Sequence, residues 1–172
     1  METIYLTANG EKILDNKIID HEQKTKDLVR QLGETCKDDP DLPENVLFKE
    51  IQLKLYREIP AEKSRLLGMK AAAIIVENTQ EFQEKPNDEA WIGSKVTFCN
   101  TNDPDYIQTI TILGALESDY KNGIISYDAP MARAMIGKKT GDTFNINIEQ
   151  LQTYQILAVK QTLGQTENKT EI

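Results

Sequence analysis

The sequence predicts an α+β protein: an N-terminal antiparallel helical hairpin, then a small, mostly antiparallel sheet with one short helix across it. Three observations predict it. Apolar residues recur in steps of three and four as far as residue 76. From residue 91 the pattern changes to short runs rich in Val, Ile, Thr and aromatics, parted by turn residues. Between the two regimes lies a polar stretch without period that carries Pro86. Steps of three and four belong to a helix face, and short β-branched runs between turn signals belong to strands.

Thr7 is a plausible N-cap for the first helix, predicted over residues 8–35. Leu14, Ile18, His21, Thr25, Leu28 and Leu32 form its heptad seam, with soft polar positions in the middle. The second helix is predicted over 44–76, on Phe48, Ile51, Leu55, Ile59, Glu62, Leu66, Met69, Ala73 and Val76. At about 1.5 Å per residue each helix is roughly 40–48 Å long, more than a small domain is wide. A short turn between two such helices makes them an antiparallel coiled-coil hairpin whose far end projects. Pro60 removes the bond to the Tyr56 carbonyl inside the second helix and should bend it.

Residues 77–88 (ENTQEFQEKPND) read as a linker. The strand candidates are WIGSKVTFC (91–99), YIQTITILGAL (106–116), GIISYD (123–128), DTFNINI (142–148) and TYQILAVKQ (153–161). APMARAMIG, between the third and fourth, is a short helix with Pro130 in its first turn and Gly137 at its end. The predicted organisation is a hairpin over 1–76, a linker over 77–88, a globular domain over 89–163 and a disordered tail over 164–172.

Net charge is −8, which argues against binding driven by a uniformly basic surface. Residues 1–76 carry 12 basic and 14 acidic side chains and the rest carry 8 and 14, so most of the excess acid lies in the second half. Cys36 and Cys99 form no CxxC or Cys/His pattern, which argues against a zinc site or disulfide framework and suits a reducing cytosol. No run of 18 apolar residues or basic-then-apolar leader is present, so the expectation is a cytoplasmic protein without a membrane partner.

The predicted far end of the hairpin reads KDDPDLPEN (37–45), with four acids and two prolines. Two readings compete for it. Asp41-x-x-Glu44 is close to a capping box, and acids suit a helix N-terminus. Capping does not require Asp38 and Asp39 as well. A stiff group of carboxylates also suits Mg2+, which takes a few carboxylate oxygens and keeps several waters. Two carboxylates hold it weakly, so another molecule would have to complete the site.

DLPEN (41–45) resembles the D-L-x-E-N tip signature of the bacterial Gre transcript-cleavage factors. GIISYDAPMARAMIGKKTGD (123–142) resembles their C-terminal signature, in which Ser-Pro opens a short helix and Gly-Asp follows. The resemblance implies a C-terminal domain similar to the FK506-binding fold. It implies a factor that is not itself an enzyme. Such a factor enters the secondary channel of RNA polymerase and stimulates the polymerase's own two-metal cleavage of a backtracked transcript, at the RNA 3′ end. Asp41 and Glu44 then help hold a Mg2+ shared with the polymerase, and Asp128 and Pro130 match the stretch that grips the channel rim. There are departures. Ala129 stands where the family has Ser, Pro43 lies inside the tip motif, Pro60 interrupts the second helix, and Asp38 and Asp39 add acid. Extra tip acids also occur in Gre-like inhibitors that occupy the channel without cleavage, so an inhibitor is the alternative. A third reading is a chaperone or prolyl-isomerase module.

Lys49, Lys54 and Arg57 are candidate RNA contacts near the tip. Lys12, Lys17, Lys24, Lys26, Arg30 and Lys37 on the first helix alternate with acids and read as a solvated face. His21, the only histidine, reads as a packing residue on the seam. The aromatics of the second half are spread over several strands and are needed for a core, which argues against an isomerase pocket.

Overall fold

The computed structural model describes residues 3–38, 45–147 and 151–163. The chain forms two compact units. One holds Glu11–Ala73, and the other holds Thr3–Gly10 with the chain from Ile74 onward.

The first unit is the predicted antiparallel hairpin. Helix α1 (Ala8–Asp38) is 31 residues long, about 46 Å at the rise of an α-helix. The returning arm is α2 (Val46–Leu53), a π-helical turn (Lys54–Glu58) and α3 (Ile59–Ala72). Two ion pairs give the direction and register. Asp15 meets Lys70 at 2.5 Å and Glu22 meets Lys63 at 3.7 Å, so seven residues down α1 match seven residues back up α3. That is one heptad on each side, the spacing that keeps two apolar seams facing. Leu14, Ile51, Ile59 and Leu66 are buried, and Ile18, His21, Thr25, Leu28 and Leu32 are half-buried on the predicted seam.

Ahead of Pro60 the second arm carries a π-helical turn. The proline's ring nitrogen cannot donate to the Tyr56 carbonyl. Just before it the helix widens, and the Ile59 N–H reaches back five residues to the Lys54 carbonyl. A π turn re-pairs the backbone ahead of the proline at the cost of one extra residue in the turn.

Three expectations for the second helix need correction. The helix starts at Val46, and its N-cap is Asn45, whose side-chain oxygen accepts from the Phe48 N–H at 3.0 Å. Asn45 stands directly before the apolar run and has the short side chain a cap needs. Glu62, assigned to the seam, is exposed, and both its oxygens take hydrogen bonds from Arg65 at 2.9 Å. Keeping the charge in water avoids a desolvation penalty that no partner on the seam would offset. The helix also ends at Ala72, not at 76. Ala73–Ile75 form a strand, β2, paired with β1 (Ile4–Leu6). Three alanines read locally as helix, but Ile74, Ile75 and Val76 are β-branched, and β1 supplies the partner that decides the matter.

The second unit begins with β1 and the first turn of α1. Thr7 is the cap predicted from the sequence: its hydroxyl accepts from the N–H groups of Asn9 (3.2 Å) and Gly10 (3.1 Å). The predicted linker contains a 3-10 turn (Val76–Asn78) and a short helix, α4 (Gln80–Glu84), capped by Thr79. All five predicted strands form: β3 (Ser94–Asn100), β4 (Asp103–Leu113), β5 (Ile124–Ser126), β6 (Thr143–Asn147) and β7 (Leu151–Gln161). Their order is β5-β4-β3-β7-β6. Three pairings are antiparallel, and β4–β5 is parallel, with Thr111 opposite Ile124, so the sheet is mixed. Helix α5 (Pro130–Met135) is the short helix predicted between the third and fourth strands.

Strict alternation builds the core. Along β6, Phe144 and Ile146 are buried while Thr143, Asn145 and Asn147 are exposed. Val96 and Phe98 of β3, Ile112 of β4, Ile125 of β5 and Ile156 of β7 join them, closed by Ala132 and Met135 of α5. Phe98, Phe144 and Tyr154 pack on one another with ring centres 5.3–5.6 Å apart, two of the contacts edge to face and one stacked. Among the described residues no helix is long and apolar enough to cross a membrane.

Candidate functional site

Asp41 and Glu44, the candidate metal-site acids, lie outside the described residues, as does Asp39. What can be built is the frame on either side of them. Helix α1 runs unbroken to Asp38, and the return begins with Asn45 capping α2. On either side of the acids the described arms keep one register over at least a heptad. At the start of α2 it is Asn45 that accepts the Phe48 amide. The signal for this was present in the sequence, since Asn immediately before an apolar helical run is a strong N-terminus mark.

Next to the turn, α2 presents Val46 and Leu47 to solvent, the first 78% exposed. Lys49 is exposed two residues further on. Lys54 is half-buried and gives its ammonium to Glu50 at 2.9 Å. That hydrogen bond, with the charge of Glu50, holds Lys54 above the usual lysine range, so it stays cationic but is already paired. Arg57 is exposed on the π turn. Among the described residues neither Lys49 nor Arg57 makes an ion pair, which leaves them as the freer cations of the three predicted contacts. On α1, Arg30 is paired to Asp27 at 3.2 Å, in keeping with a solvated mixed-charge face.

A groove of about 210 Å3 lies between the arms at the level of the π turn, lined by His21, Lys24, Leu28, Glu58 and Ile59 among others. Both ring nitrogens of His21 are shielded there and have no hydrogen-bond partner among the described residues. His21 is therefore a packing residue between the arms, as the seam predicted. Among the described residues no group of three or more His, Cys, Asp or Glu side chains could hold a metal ion.

In the globular unit, Asp128 and Pro130 are both exposed at the head of α5. Pro130 occupies the first turn, where its missing N–H costs nothing. Ala129 is the N-cap and makes no side-chain cap bond, so the hydroxyl expected of a Ser there has no substitute. The segment is nonetheless held firmly by backbone: Tyr127 N–H bonds the Leu113 carbonyl at 2.9 Å, and Ala129 N–H bonds that of Ser126 at 3.0 Å. Behind it Ala132 and Met135 are fully buried, so the exposed pair stands on a rigid base.

A family model described as transcription elongation factor, GreA/GreB, C-terminal part, matches residues 85–161. The chain is similar to transcription elongation factor GreA of Aliarcobacter butzleri, with 31% identity over 77% of this chain and 75% of that one. It is similar to the GreA of Nautilia profundicola at 34% identity, over 73% and 69% of the two chains. It is also similar to that of Thermosipho africanus at 29% identity, over 92% and 97%. Among solved structures it is similar to GreA factor homolog 1 (Gfh1) of Thermus thermophilus, with 18% identity, coverage of 92% and 99%, and a TM-score of 0.39.

Proposed function

Because the chain belongs to the GreA/GreB family of transcription elongation factors, we propose that it binds RNA polymerase through the secondary channel and stimulates cleavage of backtracked RNA by the polymerase itself. The observation that carries this reading is the frame of the hairpin turn. Four acids, Asp38, Asp39, Asp41 and Glu44, come in sequence just before a helix whose Phe48 amide is taken by another residue, Asn45. Acids not needed for capping are available for an outside partner.

Asp41 and Glu44 are hard oxygen donors of the kind Mg2+ takes, and two of them are too few to hold it without ligands from another molecule. Bound there, Mg2+ would lower the pKa of a water and neutralise charge on a phosphodiester. This chain's own parts do the rest. Asp41 and Glu44 add negative oxygens where the polymerase's site is incomplete. Lys49 and Arg57, which make no ion pair among the described residues and lie one to three turns from the tip, offer cations to the extruded RNA phosphates. Lys54 contributes less, because Glu50 holds it. Asp128 and Pro130 meet the channel rim from their rigid base.

The test is a stalled, backtracked complex given the protein and Mg2+. Short 3′ fragments are expected, and Asp41→Asn with Glu44→Gln should abolish them while binding survives. Full cleavage by that double variant would end the proposal. The inhibitor reading is favoured by the two additional acids, Asp38 and Asp39, and the same assay separates it: nucleotide addition would fall and no fragments would form.

A further inference from the structure

We propose that Glu117 is a positioning residue: its buried carboxylate locks the first turn of α1 into the globular unit, and the hairpin works only from a locked root. The functional half of this rests on the cleavage reading above, and the chemical half on contacts within the second unit alone.

Glu117 lies in the loop from β4 to β5 and is 7% exposed. A carboxylate out of water is costly unless donors surround it. Four do. Oε1 accepts from the Thr7 hydroxyl at 2.7 Å and from Asn9 Nδ2 at 3.2 Å. Oε2 accepts from the backbone N–H groups of Gly114 at 3.1 Å and Thr7 at 3.4 Å. None of these donors is charged, so the site is a cage of hydrogen bonds and not an ion pair. The Thr7 hydroxyl is fully occupied: its one proton goes to Glu117, and its lone pairs take the Asn9 and Gly10 amides. Cap and lock are thus a single network.

The surroundings are shaped for it. A Cβ on Gly10 or on Gly114 would come within 2.8 Å of Oε2 of Glu117. Leu116, the preceding residue, has φ +73°, a conformation that L side chains rarely adopt and that persists only where neighbours enforce it. Helix capping alone does not explain this arrangement. Thr7 already serves the amides of residues 9 and 10, and Glu77 accepts the Ala8 N–H at 3.0 Å. Inside the helix Glu117 takes the side-chain amide of Asn9 and, among the described residues, no backbone amide. What it does is fasten the cap residue to the β4–β5 loop. Since α1 continues unbroken from this turn to Asp38, the lock holds the root of the helix that leads to the tip acids.

The full-length protein is tested with Glu117→Ala, Thr7→Val, which keeps the shape and loses the hydroxyl, and Thr7→Ser, which keeps the hydroxyl. Three quantities are read: amide exchange at Gly10 and Gly114, affinity for the polymerase, and cleavage rate at saturating factor. Glu117→Ala and Thr7→Val should each speed exchange at those amides about tenfold or more, the worth of a charge-assisted hydrogen bond. Affinity should change by less than about threefold, and saturating cleavage should fall about tenfold, the scale expected for misplaced groups. Thr7→Ser should match the wild type throughout. Unchanged exchange overturns the lock, and faster exchange with full saturating cleavage overturns the positioning role. If the wild-type protein itself yields no fragments, the cleavage reading falls, and the exchange rates still decide whether the lock exists.

Discussion

Replacing Asn45 by Ala asks which residue starts the returning arm of the hairpin. Asn45 Oδ1 accepts the Phe48 amide at 3.0 Å, and its carbonyl takes the Lys49 N–H at 3.2 Å. Only the first of these is lost with the side chain. Losing an Asn cap costs about 1 kcal/mol, within a range of roughly 0.5–2. That converts to about a fivefold larger population of the opened first turn. The opening should stay local, because α2 has one fully buried residue, Ile51, a turn further along. Hydrogen exchange resolved by residue is the assay. The Phe48 amide should exchange about five times faster in Asn45→Ala, with Ile51 little changed, and Asp41→Ala should leave both as they are. If Phe48 is unmoved by Asn45→Ala and accelerated by Asp41→Ala, the acid is the cap. The argument that the tip acids are available to a partner then fails with it.

Three further outcomes are expected. Phe98→Ala, at a fully buried position between Phe144 and Tyr154, should lower stability by about 3–5 kcal/mol in denaturant melts, and a loss under about 1 would mean the aromatic trio is not the heart of the sheet core. Pro60→Ala restores a backbone donor and should stabilise the second arm by about 1–3 kcal/mol, with carbon chemical shifts at residues 54–58 moving toward α-helical values; unchanged shifts would show that the π turn has another cause. Lys70, whose hydrogen bond to Asp15 and attraction to its charge raise it above the ordinary 10.5, contributes stability fully present below that pH and lost as pH climbs through the raised value. The gap in melting temperature between wild type and Lys70→Met should therefore be steady below pH 10.5 and shrink above it, and a gap that grows there would refute the pairing.

Much of this architecture was legible in the sequence because it is local. Thr7, the two seams, the alternation of DTFNINI and Pro130 at the head of a short helix are all set by residues within a few positions of one another. The acids of KDDPDLPEN are equally plain as a composition. What only the tertiary structure decided involves partners far apart in the chain. AAAIIV reads as helix until β1, far earlier in the chain, pairs with Ala73–Ile75. GIISYD shows no sign that its pairing with β4 is parallel. Glu117 looks like a surface acid in ALESD, and only the approach of Thr7 and Asn9, about 110 residues away in sequence, turns it into a buried acceptor. Periodicity records which face of an element avoids water. It does not record which distant backbone or side chain will satisfy that element's remaining donors and acceptors, and those long-range pairings fixed the end of the second helix, the parallel strand and the lock.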